Sequence, residues 1–322
     1  MEHNQDLEDE AVIDLSITVA SYNTLEYTKE CIKSIYENTR RINFEIIIVD
    51  NNSTDGSPDM IRKEFPGVTL ICNDKNLGIP KATNLGISIS KGRYFITINS
   101  DVVIVPGSLE RLVEFMDTHP DAGAATARLI LPDGGEHPPV CGNAPSLRSE
   151  LLEAYSPFSS NIAKKAANAR FSNQIDYSKT QDVPCITWGT AFIVRREVLE
   201  SVGGQDPLFF VYSEDSDWSM RIKNAGWKLY YVADAPIIHY GGRSTGQTKA
   251  DSLARLWKSK CQLIQKHYGL IAGLVLRSSM AFVCSIRAAK WLLLYPLSSR
   301  QREEASVRIK GMWRIIRAVL SY

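Results

Sequence analysis

The sequence predicts an α/β fold, a mostly parallel sheet flanked by helices, followed by an amphipathic helical extension at the C-terminal end. Three observations carry this. From Leu15 to Val102 a β-branched apolar run, a polar turn and a helix-like segment follow one another repeatedly, the rhythm of right-handed strand–helix–strand crossovers. Phe44–Val49 and Tyr94–Ile98 are nearly all apolar, as strands covered on both faces are. The runs stop on polar clusters, Ser21-Tyr22-Asn23, Asp50-Asn51-Asn52-Ser53 and Asn99-Ser100-Asp101. Parallel strands bring such ends to one edge, where open α/β sheets bind ligands.

Residues 1–14, with Glu2, Asp6, Glu8, Asp9, Glu10 and Asp14, read as a solvated acidic tail. Ile17–Ala20 make the first strand, and Leu25–Glu37 a helix with Leu25, Cys31, Ile32 and Ile35 on its buried side. Phe44–Val49 form the second strand, and Ser57-Pro58 open a short helix as N-cap and first helical residue. Val68–Cys72 give a third strand and Pro80–Ser90 a helix, before the central run ending on Asp101. A helix is predicted over Gly107–Thr118 and a strand over Ala122–Thr126. Residues 130–183 are turn-rich and polar, with a helix only at Leu147–Tyr155. A strand over Ile186–Val194 and a helix over Arg196–Val202 restore the pattern.

At 322 residues and 44% hydrophobic content the chain can bury a large core. Its six cysteines are far apart with no CxxC pair, which argues against a disulfide or zinc framework and for a reducing cytosolic compartment. The net charge of +1 conceals an asymmetry: residues 252–322 hold thirteen Lys or Arg against Glu303 and Glu304, a balance of +11, leaving −10 for the rest.

Neither GxGxxG nor GxxxxGK[ST] occurs, which removes most support for a dinucleotide-dependent dehydrogenase or a P-loop kinase. Asp101, at the end of the central strand, is a candidate metal ligand; Asn, Ser and Asp are also ordinary turn formers. Glu214, Asp215 and Asp217 open a predicted helix, where acidic residues also favour the macrodipole by ~0.3–1 kcal/mol.

Seven stretches, ITVASYN, IIIVDNNSTDGS, NLGIPKATNLGI, FITINSDV, WGTAFIVRREVLESVGG, FFVYSEDSDWSMRIKNAGW and HYGGRST, run in this order from Leu15 to Thr245. On these motifs the chain resembles family 2 glycosyltransferases of the GT-A type (Rossmann-like), and more narrowly the bacterial rhamnosyltransferase-like branch that builds surface polysaccharides. The resemblance implies an inverting, metal-dependent transfer from a nucleoside-diphosphate sugar, with dTDP or UDP as the nucleotide and rhamnose as one donor sugar. It implies Mg²⁺ or Mn²⁺ at Asp101, with His239 completing the shell or touching the diphosphate; a histidine after an apolar run is also commonly structural. Where the family often has two aspartates flanking one residue, this chain has Asn99, which leaves Asp101 to carry coordination. Asp50 would contact the base or cap its own loop; Ser21, Tyr22, Asn23 and Asn52 would border base and ribose, with Asn99 and Ser100 beside them. Lys81 and Asn84 would face the donor or lie on the surface. Trp188 and Gly189 would shape the sugar pocket, Trp188 alternatively being core, and Arg243 and Ser244 suit phosphate oxygens. An inverting transfer needs one base opposite the leaving group, for which Asp215 is preferred to Glu214.

The implied organisation is a catalytic domain over residues 15–250, with the donor site in 15–105 and the acceptor and catalytic part in 106–250, then a basic helical region over 251–322. Tyr268–Leu297 is apolar with sparse cations, its uncharged stretches about nine residues long, against the ~20 that span a bilayer. Cations beside Trp and Leu suit an anionic headgroup region, whereas nucleic acid would not need so many aliphatic residues. The alternative is a helical hairpin packed on the catalytic domain or on a second copy in a homodimer. The resemblance places the protein in the cytoplasm, peripheral at the inner membrane face, acting on a glycan or lipid-diphosphate-linked acceptor. Other readings are a sugar-nucleotide nucleotidyltransferase, whose glycine- and Arg-containing N-terminal loop is missing from Ser21–Glu26, and a non-catalytic nucleotide- or glycan-binding module.

Overall fold

Each apolar run of the first hundred residues becomes a strand, and each following segment a helix that returns the chain to the same end of the sheet. In the computed structural model, which describes residues 12–171, 175–241, 249–294 and 299–321, this half comprises β1 (Leu15–Ser21), α1 (Leu25–Asn38), β2 (Phe44–Asp50), α2 (Ser57–Glu64), β3 (Thr69–Cys72), α3 (Ile79–Ile89) and β4 (Tyr94–Asn99). β3, β2, β1 and β4 lie side by side and parallel. Their two faces are filled by alternate residues, as the pleat requires. Ile46 and Ile48 join the cluster that holds Cys31, Ile32 and Ile35 of α1, while Ile47 and Val49 pack with Ala82 of α3.

The second half is β5 (Val102–Ile104), α4 (Ser108–Thr118), β6 (Ala122–Ile130), β7 (Cys141–Gly142), α5 (Leu147–Tyr155), α6 (Ser160–Arg170), β8 (Gln181–Asp182), β9 (Cys185–Ile186), β10 (Ala191–Arg195), α7 (Arg196–Val202), α8 (Glu214–Asn224) and β11 (Lys228–His239). Here the sheet is mixed. β10 inserts antiparallel between β4 and β6, β11 runs parallel to β6, and β5 and β8 pair antiparallel with β11. Ile186–Val194, expected as one strand, is two: β9 pairs with β7 in a separate ribbon, and Thr187–Thr190 leave both ladders between them. Strand β6 runs four residues beyond the predicted Thr126. Helix α6 was unexpected because its Ala- and Lys-rich sequence has high helix propensity but almost no apolar stripe; only Ala166 is buried. Asp14, assigned to the tail, is fastened instead, accepting from Asn43 N at 2.9 Å and pairing with Arg93 at 2.7 Å; residues 1–11 lie outside the described residues.

The basic region forms α9 (Lys249–Tyr268), α10 (Leu270–Leu294) and α11 (Ser299–Leu320). Trp257, Cys261, Ile264, Leu276, Met280, Cys284, Ile315 and Val319 make their common core, together with Ala154 of α5. These helices therefore pack on the catalytic half. By length and composition alone, Leu270–Leu293 is also long and apolar enough to cross a membrane, a longer segment than its uncharged stretches suggest.

Asp217 ties α8 to α9. Its fully buried carboxylate receives Arg221 Nε at 2.8 Å, Lys266 Nζ at 2.6 Å and His267 Nε2 at 2.8 Å. Burial works to raise its pKa, but the hydrogen bonds from His267, Lys266 and Arg221 outweigh it and hold the group at about 2. Asp217→Ala, which leaves Arg221, Lys266 and His267 without their shared carboxylate, is expected to cost about 3 kcal/mol, read as a lower denaturant midpoint at unchanged slope. Because the folded pKa lies below the unfolded value of ~3.9, the stabilisation is present above that value and fades as pH falls toward 2. An acid-unfolding curve should therefore lose its steepest segment in the variant.

Candidate active site

The edge at which β1, β2 and β4 end carries the site, and β-ladder registers decide what joins it. Asp101 follows β4 directly. The pairing of His239 with Val102 sets the last residue of β11 beside it, with His239 Nε2 3.4 Å from Asp101 Oδ1 and Tyr240 N donating to the Asp101 carbonyl at 3.0 Å. Both side chains are buried. Because β10 is antiparallel to β4, with Ala191 opposite Ile98, its start lies at the end of β4. Trp188 and Gly189 thus reach the same edge. α8 adds Glu214 and Asp215, presented by Tyr212 and Ser213, both at φ 69°; left-handed conformations at non-glycine residues cost of order 1–3 kcal/mol each and gather at functional sites.

Asp101, His239, Asn99, Ser100, Trp188, Gly189, Glu214 and Asp215 all line one cavity of about 350 Å³. Its further wall comes from Asn143, Glu150 and Arg170 and from Leu256, Lys260 and Leu263 of α9, so the C-terminal region is part of the pocket. Lys260 is buried and bridges Glu150 at 2.7 Å and Glu153 at 2.8 Å. No motif pointed to Lys260 or Glu150, since their proximity exists only once α9 docks on α5.

The carboxylates in the cavity differ in electrostatics. Asp215 Oδ2 accepts from Gly189 N at 2.9 Å and Oδ1 from Gln205 Nε2 at 3.3 Å. Burial raises its pKa to about 6, against the lowering by the Gly189 N–H. Glu214 is buried, its Oε2 without a hydrogen bond among the described residues. Burial, and then the charge of Asp215, push its pKa well above the usual carboxylate value. The two neighbouring carboxyls thus differ in direction and cause: burial raises both, and the charge of Asp215 raises Glu214 further.

His239 has a partner that no motif identified. Its Nδ1 lies 2.9 Å from His137 Nε2, and His137 Nδ1 lies 2.8 Å from the Pro138 carbonyl. Burial lowers the His137 pKa, with the Pro138 bond opposing and His239 adding to the effect. His239 Nε2 is buried and makes no hydrogen bond among the described residues. A buried imidazole nitrogen facing a buried carboxylate is a donor set suited to a divalent cation. Among the described residues no group of three or more His, Cys, Asp or Glu side chains could hold a metal, and Asp101 and His239 are two of these types that the described residues bring together here.

The remaining predicted donor residues separate into two groups. At the β1–β2 end, Asp50 is buried, with Oδ2 capping Ser53 N at 2.8 Å and Oδ1 without a hydrogen bond among the described residues. Asn23 is laced to the same loop through Ser53 and Thr54, and Asn52 is left-handed at φ 67°. Ser21 is buried in a hydroxyl cluster with Thr24 and Thr28, and Thr24 also bonds Ser100; Tyr22 is half-buried beside it. Asn84 departs from the donor role: both ends of its amide hold the Gln205 backbone, at 2.7 and 2.9 Å, and Gln205 in turn reaches Asp215. Lys81 is exposed on α3. Trp188 is 43% exposed, which removes the core alternative. Arg243 and Ser244 lie outside the described residues.

Two glycines hold these parts together by close approach. A Cβ at Gly189 would collide with the Asp215 carboxylate, so the approach that needs glycine is to the acid on α8. A Cβ at Gly78, whose φ is +82°, would collide with the Phe210 carbonyl, which accepts from Ile79 N at 2.8 Å. The loop before α8 is thereby seated on the start of α3.

Solved structures share this architecture, a GT-A fold. A mannosyltransferase from Pyrobaculum calidifontis, solved with GDP-Man and Mn²⁺, aligns over 97% of this chain and 88% of its own at a TM-score of 0.56 and 16% identity. Staphylococcus aureus TarS, solved with UDP-GlcNAc, aligns over 95% and 82% at 0.52 and 14% identity. The profile of Glycosyl transferase family 2 matches residues 16–203, and the chain belongs to that family, a family of inverting enzymes. Among its relatives are the N-acetylglucosaminyl-diphospho-decaprenol L-rhamnosyltransferase of Mycobacterium tuberculosis, 28% identical over 86% of this chain and 95% of that protein, and the dTDP-rhamnosyl transferase RfbF of Shigella flexneri, 27% identical over 61% and 60%.

Gly189→Ala should displace the Asp215 carboxylate while leaving the fold intact. A shift of about 1 Å in a reacting group costs on the order of 10²-fold in rate. Sugar transfer should fall by that order with an unchanged circular dichroism spectrum.

Proposed function

We propose that this glycosyltransferase moves a deoxyhexose such as rhamnose, with inversion, from dTDP or UDP to a lipid-diphosphate-linked or polysaccharide acceptor. The observation that carries the reading is one cavity lined by both the Asp101–His239 pair and Asp215. Asp101 and His239 would hold Mg²⁺ or Mn²⁺, whose chemistry is to stabilise charge growing on the departing diphosphate. Asp50, at the β2 end, has a carboxylate oxygen available to accept the N–H of a pyrimidine base. Ser21, Tyr22, Asn23 and Asn52 flank it, and Asn99 and Ser100 continue the edge toward the diphosphate. The nature of donor and acceptor is supported by the names of the mycobacterial and Shigella relatives.

Asp215 acts as the base in this scheme. Its carboxylate is held on two sides, by the Gly189 N–H and the Gln205 amide, and its raised pKa makes it a better proton acceptor than an ordinary aspartate at neutral pH. It takes the acceptor hydroxyl's proton as oxygen attacks the anomeric carbon and the bond to the β-phosphate oxygen breaks. Glu214 beside it lacks the two hydrogen bonds that orient Asp215, and burial and the Asp215 charge disfavour its ionised form, so Asp215 is the better placed of the two.

The enzyme is further proposed to work in the cytoplasm at the inner membrane face. Ile271, Leu274, Val275, Phe282, Ile286 and Leu293 are exposed and recur at helical spacing along one side of α10, opposite its packed residues Leu276, Met280, Val283 and Cys284. Lys290 is exposed on the same helix, and Trp313 and Arg317 on α11, a combination suited to an anionic headgroup layer.

A panel of nucleoside-diphosphate sugars, read by thermal shift with and without Mg²⁺ or Mn²⁺, should single out a deoxyhexose donor whose stabilisation needs metal and is lost in Asp101→Ala; equal affinity with and without metal would count against the cation. Asp215→Asn should abolish transfer and leave donor affinity largely intact. In the wild type kcat/KM should rise as pH passes upward through about 6, because only the ionised carboxylate accepts a proton; a profile flat from pH 5 to 8 would remove Asp215 as base. Phe282→Glu combined with Ile286→Glu should reduce sedimentation with anionic vesicles several-fold and leave turnover of a water-soluble acceptor unchanged.

A further inference from the structure

His137 lies in the turn-rich segment before β7, outside every family motif, yet its ring makes the one side-chain hydrogen bond of His239 among the described residues. We propose that His137 is a positioning residue: it fixes His239 in the tautomer whose Nε2 lone pair faces Asp101, and so keeps that pair ready for a divalent cation. The consequence for metal binding rests on the functional reading above; the tautomer does not.

The hydrogen-bond chain has a single direction. The Pro138 carbonyl can only accept, so the proton of His137 sits on Nδ1, 2.8 Å away. Nε2 of the neutral His137 ring then carries a lone pair and must accept. At 2.9 Å from it, His239 Nδ1 is therefore the donor, and His239 Nε2 is left bare, buried and 3.4 Å from Asp101 Oδ1. Without His137 the neutral imidazole could move its proton to Nε2 and hydrogen-bond the carboxylate directly. That internal bond would occupy both would-be ligands. Trp188 stands edge-on to both rings, with centroids 5.2 Å from His137 and 6.4 Å from His239, which limits their turning. His137 thus selects between a His239–Asp101 hydrogen bond and a His239 Nε2 whose lone pair is directed at the site.

The test uses the full chain in two measurements: long-range ¹H–¹⁵N correlation of histidine ring nitrogens in metal-free protein, and binding of Mn²⁺ alone followed by electron paramagnetic resonance. Wild type should show His239 protonated at Nδ1. His137→Phe, which keeps a ring and removes the acceptor, should move the proton to Nε2 and weaken Mn²⁺ binding by roughly 10- to 100-fold, the usual cost of losing a ligand's outer hydrogen bond. His137→Gln, whose side-chain carbonyl can accept from Nδ1, should restore both properties to within a few-fold of wild type. Wild-type His239 protonated at Nε2 would overturn the proposal whatever the variants do, as would unchanged Mn²⁺ affinity in a folded His137→Phe protein. If the tautomer behaves as stated but wild type binds no Mn²⁺, the tautomer lock stands and the metal reading falls.

Discussion

The antiparallel insertion of β10 between β4 and β6 is the constraint from which the site follows. A parallel strand there would begin at the far end of the sheet and carry Trp188 and Gly189 away from Asp101. Running the other way, β10 starts where β4 stops, and the residues before it must leave the ladder at the ligand edge. The Gly189 N–H, released from strand pairing, donates to Asp215. One ladder register thus fixes both the wall of the cavity and the position of the acid on α8. The second short ladder, β5 with β11, does the same for His239.

Electrostatics then differentiate residues of the same type. Three acids in four positions, Glu214, Asp215 and Asp217, occupy three environments. Asp217 is surrounded by cations and stays ionised far into acid. Asp215, buried but held by an N–H and an amide, is raised to about 6, while burial and the Asp215 charge push Glu214 well above the usual carboxylate range. Helix α8 therefore carries three acids with distinct electrostatics within one turn.

The C-terminal helices belong to this arrangement as well. α9 is fixed by Asp217 on one side and by Glu150 and Glu153 on the other, and between these anchors Leu256, Lys260 and Leu263 face the cavity. Membrane attachment through α10 would then be mechanically continuous with the pocket wall, since α9 and α10 share one core.

Near-continuous apolar runs and turn chemistry made the first half of the fold legible in sequence, because each strand and helix there is specified by its own residues and by right-handed crossovers. The strand-end residues Asp50, Asn99 and Asp101 were legible for the same reason, and the motif order brought in His239, Gly189 and Asp215. What only tertiary structure decided were the contacts between segments far apart in sequence: His137 against His239, Asn84 holding Gln205 instead of facing a ligand, and Lys260 against Glu150. None of these leaves a local signal. A hydrogen bond between two distant side chains imposes no periodicity on either segment, so it comes into existence only when ladder registers and helix docking have placed its two ends together.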